Sequence, residues 1–310
     1  MIIVIVFIFG LLIGSFLNVC IYRLPRAKCK ACGCVVTTDE PIEACPKCNS
    51  KEGFSRLSIV SPGSHCPSCN KPIRWYQNIP VFSYIFLLGK CAGCRTRISL
   101  RYPLVELLTG LLFALAAWQN LGPQSAAGPD NIIKFVIVIF LIDALIVITF
   151  IDIDLRIIPD EISIPGIILA PLVSAAFPFL QPALFIKLPV HLDGLAGSLT
   201  GIIAGGGVVY LVGVVGKLIF KKESMGFGDV KLMVFLGGFL GWYAILFTFV
   251  LACIIGAVFG VISYLVTRDH YLAFGPYLAL GALLMIFFKP EIINFAFVTY
   301  PQFIRNLLVN

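Results

Sequence analysis

The chain has 310 residues, 59% of them apolar and only 13% charged, with a formal charge of +7. A soluble domain of this length carries about twice that share of charge, so a large water-exposed globular fold is excluded. The positive charge lies beside apolar runs and not on an isolated basic domain, and no nucleic-acid partner is expected.

A helix crosses the hydrocarbon layer with about 20 apolar residues. Residues 1–22 form such a run, interrupted only by Ser15 and Asn18. With no basic n-region and no small-residue cleavage site, it reads as an anchor and not as a cleaved signal. Further runs cover 102–120, 132–151, 162–180, 195–220, 230–251, 252–267 and 273–288, the division at 252 being the least marked. The expected fold is an all-α polytopic membrane protein of about eight transmembrane helices. A small zinc-ribbon-like cytoplasmic domain lies between the first two.

Charge sets the orientation. Of 23 Lys and Arg, 13 lie in residues 23–101, and an outside N-terminus gives the inward loops Arg156, Lys217, Lys221, Lys222, Lys231 and Arg268 as well. The opposite side keeps Lys134, Lys187, Lys289 and Arg305. Cytoplasmic loops carry such an excess. The lipid bilayer is thus the first partner, and the location is a cytoplasmic membrane.

Residues 23–101 hold nine of the eleven cysteines, eight of them in CxxC pairs: Cys29/Cys32, Cys45/Cys48, Cys66/Cys69 and Cys91/Cys94. One such turn points two thiolates at an ion, and a second completes the tetrahedron that zinc prefers. Two structural zinc sites follow, with sequential pairs as the simplest arrangement. Cys34 is left over and able to exchange with Cys32. The alternative is a disulfide framework, which requires an oxidising compartment and conflicts with the inward orientation. Four sulfur ligands leave no open position for water, so the metal role is bracing, which a domain with so few large apolar residues needs. Cys20 and Cys253 lie in apolar runs and read as packing residues.

Carboxylates at the edges of spans are costly and usually functional. Asp152 closes the third run, and Asp229 opens the sixth inside Gly226-Phe227-Gly228-Asp229-Val230-Lys231. By span counting both face the cytoplasm. Two such groups can share a proton, one activating water while the other polarises a carbonyl. The bland readings are an N-cap for Asp160 and for Asp229. Asp154 reads as solvated, and Asp143, half a turn out of phase with Asp152, as a polar contact between helices. Gly226 and Gly228 suggest a backbone that something approaches closely.

These residues also carry a resemblance. Gly14-Ser15-Phe16-Leu17-Asn18-Val19 with Arg23-Leu24-Pro25, Cys66-Pro67-Ser68-Cys69, Asn78-Ile79-Pro80, and Gly89-Lys90-Cys91-Ala92-Gly93-Cys94 run on to Arg101-Tyr102-Pro103-Leu104-Val105-Glu106-Leu107. Phe150-Ile151-Asp152 with Ile158-Pro159-Asp160, then Gly226 to Leu232, and Phe274-Gly275-Pro276-Tyr277 complete the series. In this order they resemble the bacterial type IV prepilin peptidases, over nearly the whole chain.

The resemblance implies eight membrane helices and an aspartic peptidase with Asp152 and Asp229 as its pair, supported by Gly226, Gly228 and Lys231. Its substrates are prepilins and pseudopilins, cut after a glycine that ends a basic leader. The new N-terminus is then methylated from S-adenosylmethionine. The loop of Cys66, Cys69, Cys91 and Cys94 belongs to the methyltransferase part, and Gly89 is tied to methyl transfer. The implied organisation is a first helix (1–22), a cysteine-rich domain (23–101), a second helix with its external loop (102–131), a membrane peptidase domain (132–290) and a tail (291–310). Cys29, Cys32, Cys34, Cys45 and Cys48 exceed the single set of many relatives. No glycine-rich nucleotide loop is present. The rival readings are another GxGD membrane protease without methyl transfer, or a zinc-braced transporter or assembly scaffold. Neither the precursor, nor the pathway, nor the oligomeric state is legible.

Overall fold

The computed structural model describes residues 1–37, 44–61, 63–66, 68–123, 128–182, 189–221, 225–267, 273–302 and 305. Pro67, Lys187, Lys222 and Arg268, used above, lie outside the described residues. The chain divides into two compact units, Met1–Pro159 and Asp160–Asn310.

The first unit contains α1 (Ile2–Arg23), the short α2 (Phe82–Phe86), α3 (Arg101–Leu121) and α4 (Pro129–Leu155). Lipid gives apolar helices no hydrophobic reason to associate, so they join through close backbone approach and hydrogen bonds. The α1–α3 seam is built that way. A Cβ on Gly10 would lie 2.8 Å from Gly110 Cα, and one on Gly14 would lie 2.7 Å from Glu106 Cα. One turn further, Asn18 Nδ2 donates to the Tyr102 carbonyl at 3.1 Å. Steps of four rise along α1 and fall along α3, as antiparallel neighbours require. Helix α4 packs on both. Asp143, expected as a polar contact between helices, has its Oδ1 buried with no hydrogen-bond partner among the described residues.

Between α1 and α3 lies the cysteine domain, with β1 (Arg26–Cys29) central in a three-stranded sheet. It pairs antiparallel with β2 (Val35–Thr37), Ala27 opposite Val36, and with β3 (Phe54–Arg56), Lys28 opposite Ser55. Arg23, at the end of α1, donates to the Ser58 carbonyl at 2.7 Å and ties the sheet's exit strand to the helix.

The second unit contains α5 (Asp160–Ala176), α6 (Val190–Phe220), α7 (Phe227–Leu240), α8 (Trp242–Thr267) and α9 (Gly275–Asn294). Here α6 and α7 meet at Gly201 and Gly237, where a Cβ on either would overlap the other's carbonyl oxygen. Leu232, Met233, Phe235 and Leu236 of α7 are fully buried. Helix α9 kinks at Phe288, two residues before Pro290, which lacks an N–H and crowds the carbonyl four residues back.

One expectation changes. The apolar run split at residue 252 instead breaks at Gly241, whose φ of +82° suits glycine. Gln181 Nε2 donates to the Gly238 carbonyl at 2.8 Å, near the end of α7, and to Ser174 Oγ at 2.8 Å. Hydropathy carries straight through this break because α8 is as apolar as α7. The count of eight spans is not confirmed by length and composition. Among the described residues six helices, α1, α3, α4, α6, α8 and α9, are long and apolar enough to cross a membrane. Helix α5 has 17 residues and α7 has 14, the latter about 21 Å long.

The α6–α7 seam yields a prediction. Gly201→Leu should lower stability by about 3 kcal/mol through overpacking against backbone. Gly207→Leu, on the same helix with nothing within 4 Å, should be close to neutral. Thermal unfolding in detergent micelles compares them, and equal losses would refute the seam.

Candidate active site and metal centres

Asp152 sits in the last turn of α4 and is 5% exposed. Its carbonyl accepts the Arg156 N–H at 2.9 Å, and Arg156 ends the helix in the left-handed conformation. Two residues turn a helix by about 200°, so Asp154 faces the other way. It forms an ion pair with Arg101 at the start of α3. Arg101 also donates to the Phe150 carbonyl at 3.1 Å and lies over the Phe150 ring. Of the two aspartates in Asp152-Ile153-Asp154, then, one is enclosed and the other is a paired surface group.

Asp229 is the third residue of α7, and its N–H donates to the Gly226 carbonyl at 3.2 Å. Gly226 itself is the N-cap, with ordinary extended dihedrals, and Gly228 is the second helical residue. A Cβ on Gly226 would have Asp229 Oδ2 as its nearest neighbour, at 3.6 Å. Among the described residues of this unit nothing crowds that backbone. Lys231 Nζ donates to Asp160 Oδ1 at 2.6 Å and sits over the Phe227 ring. Asp160, expected as a cap, is the first helical residue of α5 and binds this lysine. Lys231 therefore ties the start of α7 to the start of α5, a contact between distant segments that no local signal announces.

The thiols gather in two places. Cys66, Cys69, Cys91 and Cys94 have all four Sγ atoms within 4.8 Å of one another, as do Cys29, Cys32, Cys34 and Cys45. Four copies of one knuckle underlie both groups. In each, the first cysteine's N–H donates to the carbonyl five residues on: Cys29 to Cys34, Cys45 to Ser50, Cys66 to Lys71 and Cys91 to Thr96. Its own carbonyl accepts from the residue four on, Gly33, Asn49, Asn70 or Arg95, each with positive φ. Glycine and asparagine, at three of the four positions, tolerate that conformation best.

Zn–S bonds of about 2.3 Å in a tetrahedron place sulfurs about 3.8 Å apart. Cys66–Cys94 and Cys29–Cys48 are at 3.8 Å, and Cys32–Cys45 at 3.7 Å. The donor set and spacing fit zinc. Cys34 lies 3.2 Å from Cys45, closer than a tetrahedral edge. By knuckle position Cys34 corresponds to Thr96, whose hydroxyl lies 3.1 Å from Cys94 Sγ. Although Cys34 and not Cys48 completes the tightest group of four, position and spacing both favour Cys48 as the ligand.

Electrostatics do not separate the two: against the Ser50 N–H, the Cys32 thiol and burial push Cys48 up to about 12. The Thr96 hydroxyl and N–H bring the Cys94 thiol down to about 6, and the N–H groups of Cys69 and Ser68 lower Cys66. Burial opposes ionisation of Cys45, but the Cys34 thiol and the N–H groups of Cys48 and Lys47 outweigh it and bring Cys45 to about 6. The same contact pushes Cys34 up to about 12. The Cys34 thiol thus lies where it can donate to the Cys45 sulfur.

Gly89 has φ of +65°, and a Cβ there would lie 2.8 Å from Tyr84 Oη. Its carbonyl accepts the Ile98 N–H at 2.7 Å, and Tyr84 Oη donates to the Ile98 carbonyl at 3.4 Å. Gly89 thus floors a shallow hollow lined by Tyr84, Leu88, Lys90, Arg97, Ile98 and Ser99.

Span-length helices, an enclosed aspartate at a helix end and two four-thiol clusters define a multi-pass membrane protein with a metal-binding type of cysteine domain. Residues 8–120 match the Bacterial Peptidase A24 N-terminal domain, and residues 139–261 match the Type IV leader peptidase family. The chain belongs to that family and is a leader peptidase. Among proteins named "Prepilin leader peptidase/N-methyltransferase", that of Neisseria gonorrhoeae is 36% identical over 88% of this chain and 86% of its own. That of Aeromonas salmonicida (strain A449) is 35% identical over 89% and 87%, and that of Pseudomonas aeruginosa 34% over 95% and 91%. No solved structure matches the chain.

The knuckle geometry generates a prediction. Elemental analysis of purified protein should find about two zinc ions per chain. Cys29→Ser or Cys48→Ser should remove one, and Cys34→Ser should keep both. Loss of zinc from Cys34→Ser with retention in Cys48→Ser would reverse the ligand assignment.

Proposed function

We propose that Asp152 and Asp229 are the catalytic pair that removes the basic leader of type IV prepilins or pseudopilins after a glycine. The enclosure of Asp152 at the end of α4 carries this reading, together with the place of Asp229 in the first turn of α7. One carboxylate takes a proton from the attacking water. The protonated partner polarises the scissile carbonyl and then returns a proton to the leaving amine. Lys231, held by Asp160, supports α7 just beyond Asp229. The charge bias of the loops supports a cytoplasmic position, at the inner membrane, for these groups and the cysteine domain. Eight helices would cross it, α5 and α7 included.

The domain of residues 23–101 carries out the second step, N-methylation of the new terminus. Cys66, Cys69, Cys91 and Cys94 hold one zinc, and Cys29, Cys32, Cys45 and Cys48 the other. S-adenosylmethionine, when bound, supplies an electrophilic methyl group. The hollow at Gly89 has the room and the polar edges for such a donor, and the turn there keeps the floor free of side chains.

Asp152→Asn and Asp229→Asn should each reduce leader cleavage by about 10³-fold or more, with the double variant little worse. Asp154→Asn removes a partly exposed ion pair worth at most about 1 kcal/mol, and Asp160→Asn should be similarly mild. Conversion of precursor in membranes, normalised to enzyme level, reads all four. Full activity in Asp152→Asn alongside loss in Asp154→Asn would move the site to the other carboxylate. For the second step, Gly89→Leu pushes Tyr84 aside and should abolish methylation while cleavage persists. A mass shift of the mature product separates the two, and equal loss of both in a folded variant would point to one shared site.

A further inference from the structure

The cysteine domain exposes a run of large apolar side chains on and beside α2. On α2, Phe82, Ile85 and Phe86 share a helix face by their spacing and are 58%, 61% and 82% exposed, respectively. Ser83, Tyr84 and Leu87 take the sheltered side. Just before α2, a 3₁₀ turn of Trp75–Asn78 leaves Trp75 82% exposed, its ring set edge-on to Tyr76. Just after, exposed Leu88 and Leu100 rim the same hollow as Lys90 and Arg97. A contiguous apolar patch of this kind on a small domain marks a binding surface.

The patch is anchored to a membrane span. Val81 is the centre of a γ-turn, with φ 62° and ψ −51°, closed by the Phe82 N–H donating to the Pro80 carbonyl at 2.6 Å. A β-branched residue resists that conformation. It is held because the Val81 N–H donates at 2.8 Å to Glu106 Oε2, a buried carboxylate in the second turn of α3. Glu106 lies five residues in from Arg101, about 7.5 Å along the helix axis. The start of α2 is therefore pinned beside the first turns of α3. It does not stand clear above them. Leu100 joins the patch directly to the outward face of α3, where Tyr102, Leu104, Leu107, Leu108 and Leu111 are exposed. Arg74, Lys90 and Arg97 are exposed around it.

We propose that residues 75–88 form a membrane-interface element. It lies in the headgroup–acyl boundary of the same bilayer that α3 crosses. Trp75, Phe82, Ile85, Phe86 and Leu88 enter the apolar side, and Arg74, Lys90 and Arg97 meet anionic headgroups. Tryptophan and tyrosine favour that boundary, and apolar area combined with basic charge is what holds a surface helix there. The proposal rests on α3 spanning the membrane and is independent of the catalytic assignment. Its consequence is that the hollow at Gly89 opens at the lipid surface, where a membrane-anchored substrate presents its end.

The chain's three tryptophans, Trp75, Trp118 and Trp242, make the test direct. One variant, W118F/W242F, keeps Trp75 alone, and another, W75F/W242F, keeps Trp118 of α3. Each full chain is reconstituted in phosphatidylethanolamine–phosphatidylglycerol vesicles whose lipids carry bromine near the headgroup end of the acyl chain. Trp75 emission should fall by roughly half, as for a residue at the interface, and aqueous iodide should quench it little. Adding F86D and L88D should reverse both effects. Iodide quenching of Trp75 without bromolipid quenching, while Trp118 responds to bromolipid, overturns the proposal. Shielding of Trp75 from both quenchers also overturns it, in favour of a protein occupant. Silence of both tryptophans toward bromolipid removes α3 from the bilayer and the proposal with it.

Discussion

Backbone contact between helices in lipid is the constraint on which both units depend. Apolar side chains gain nothing from leaving hydrocarbon for one another, so the helices hold where small residues let main chains touch. In the first unit that seam is Gly10 and Gly14 against Gly110 and Glu106. In the second it is Gly201 against Gly237. Each seam also places chemistry. The first sets Glu106 where it captures the Val81 N–H. The second seats α7, and with it the helical turn that begins with Gly226 and carries Asp229.

The cysteine domain solves a different problem with a repeated device. Its strands are three or four residues long and bury little. Four knuckles with the same hydrogen-bond pattern bring the thiols into two groups. Cys34 holds the knuckle position of Thr96, but Thr96 meets Cys94 of its own knuckle while Cys34 meets Cys45 of the neighbouring one.

Much of the site was legible residue by residue. Asp152 was separated from Asp154 on the sequence by its place at the end of the apolar run, and in the structure burial and the Arg101 ion pair distinguish them. The thiol pairs were legible because CxxC spacing alone determines which sulfurs converge. The partner of Lys231 was not, because Asp160 stands seventy-one residues away. The break at Gly241 was also hidden. It depends on Gln181, from a segment outside the run, bonding to the carbonyls that close α7.

The sequence by itself determined what short-range chemistry and composition dictate: apolar runs of span length, the concentration of Lys and Arg in residues 23–101, the four thiol knuckles and the order of the family's motifs. Only the tertiary structure decided where one apolar run becomes two helices, which aspartate is enclosed, what holds Lys231, and that Val81 is kept in a disfavoured turn by Glu106. The physical reason is common to these cases. Hydropathy and spacing report a residue's own preference along the chain. Enclosure, ion pairing and tolerated strain are set by atoms that distant segments bring into contact.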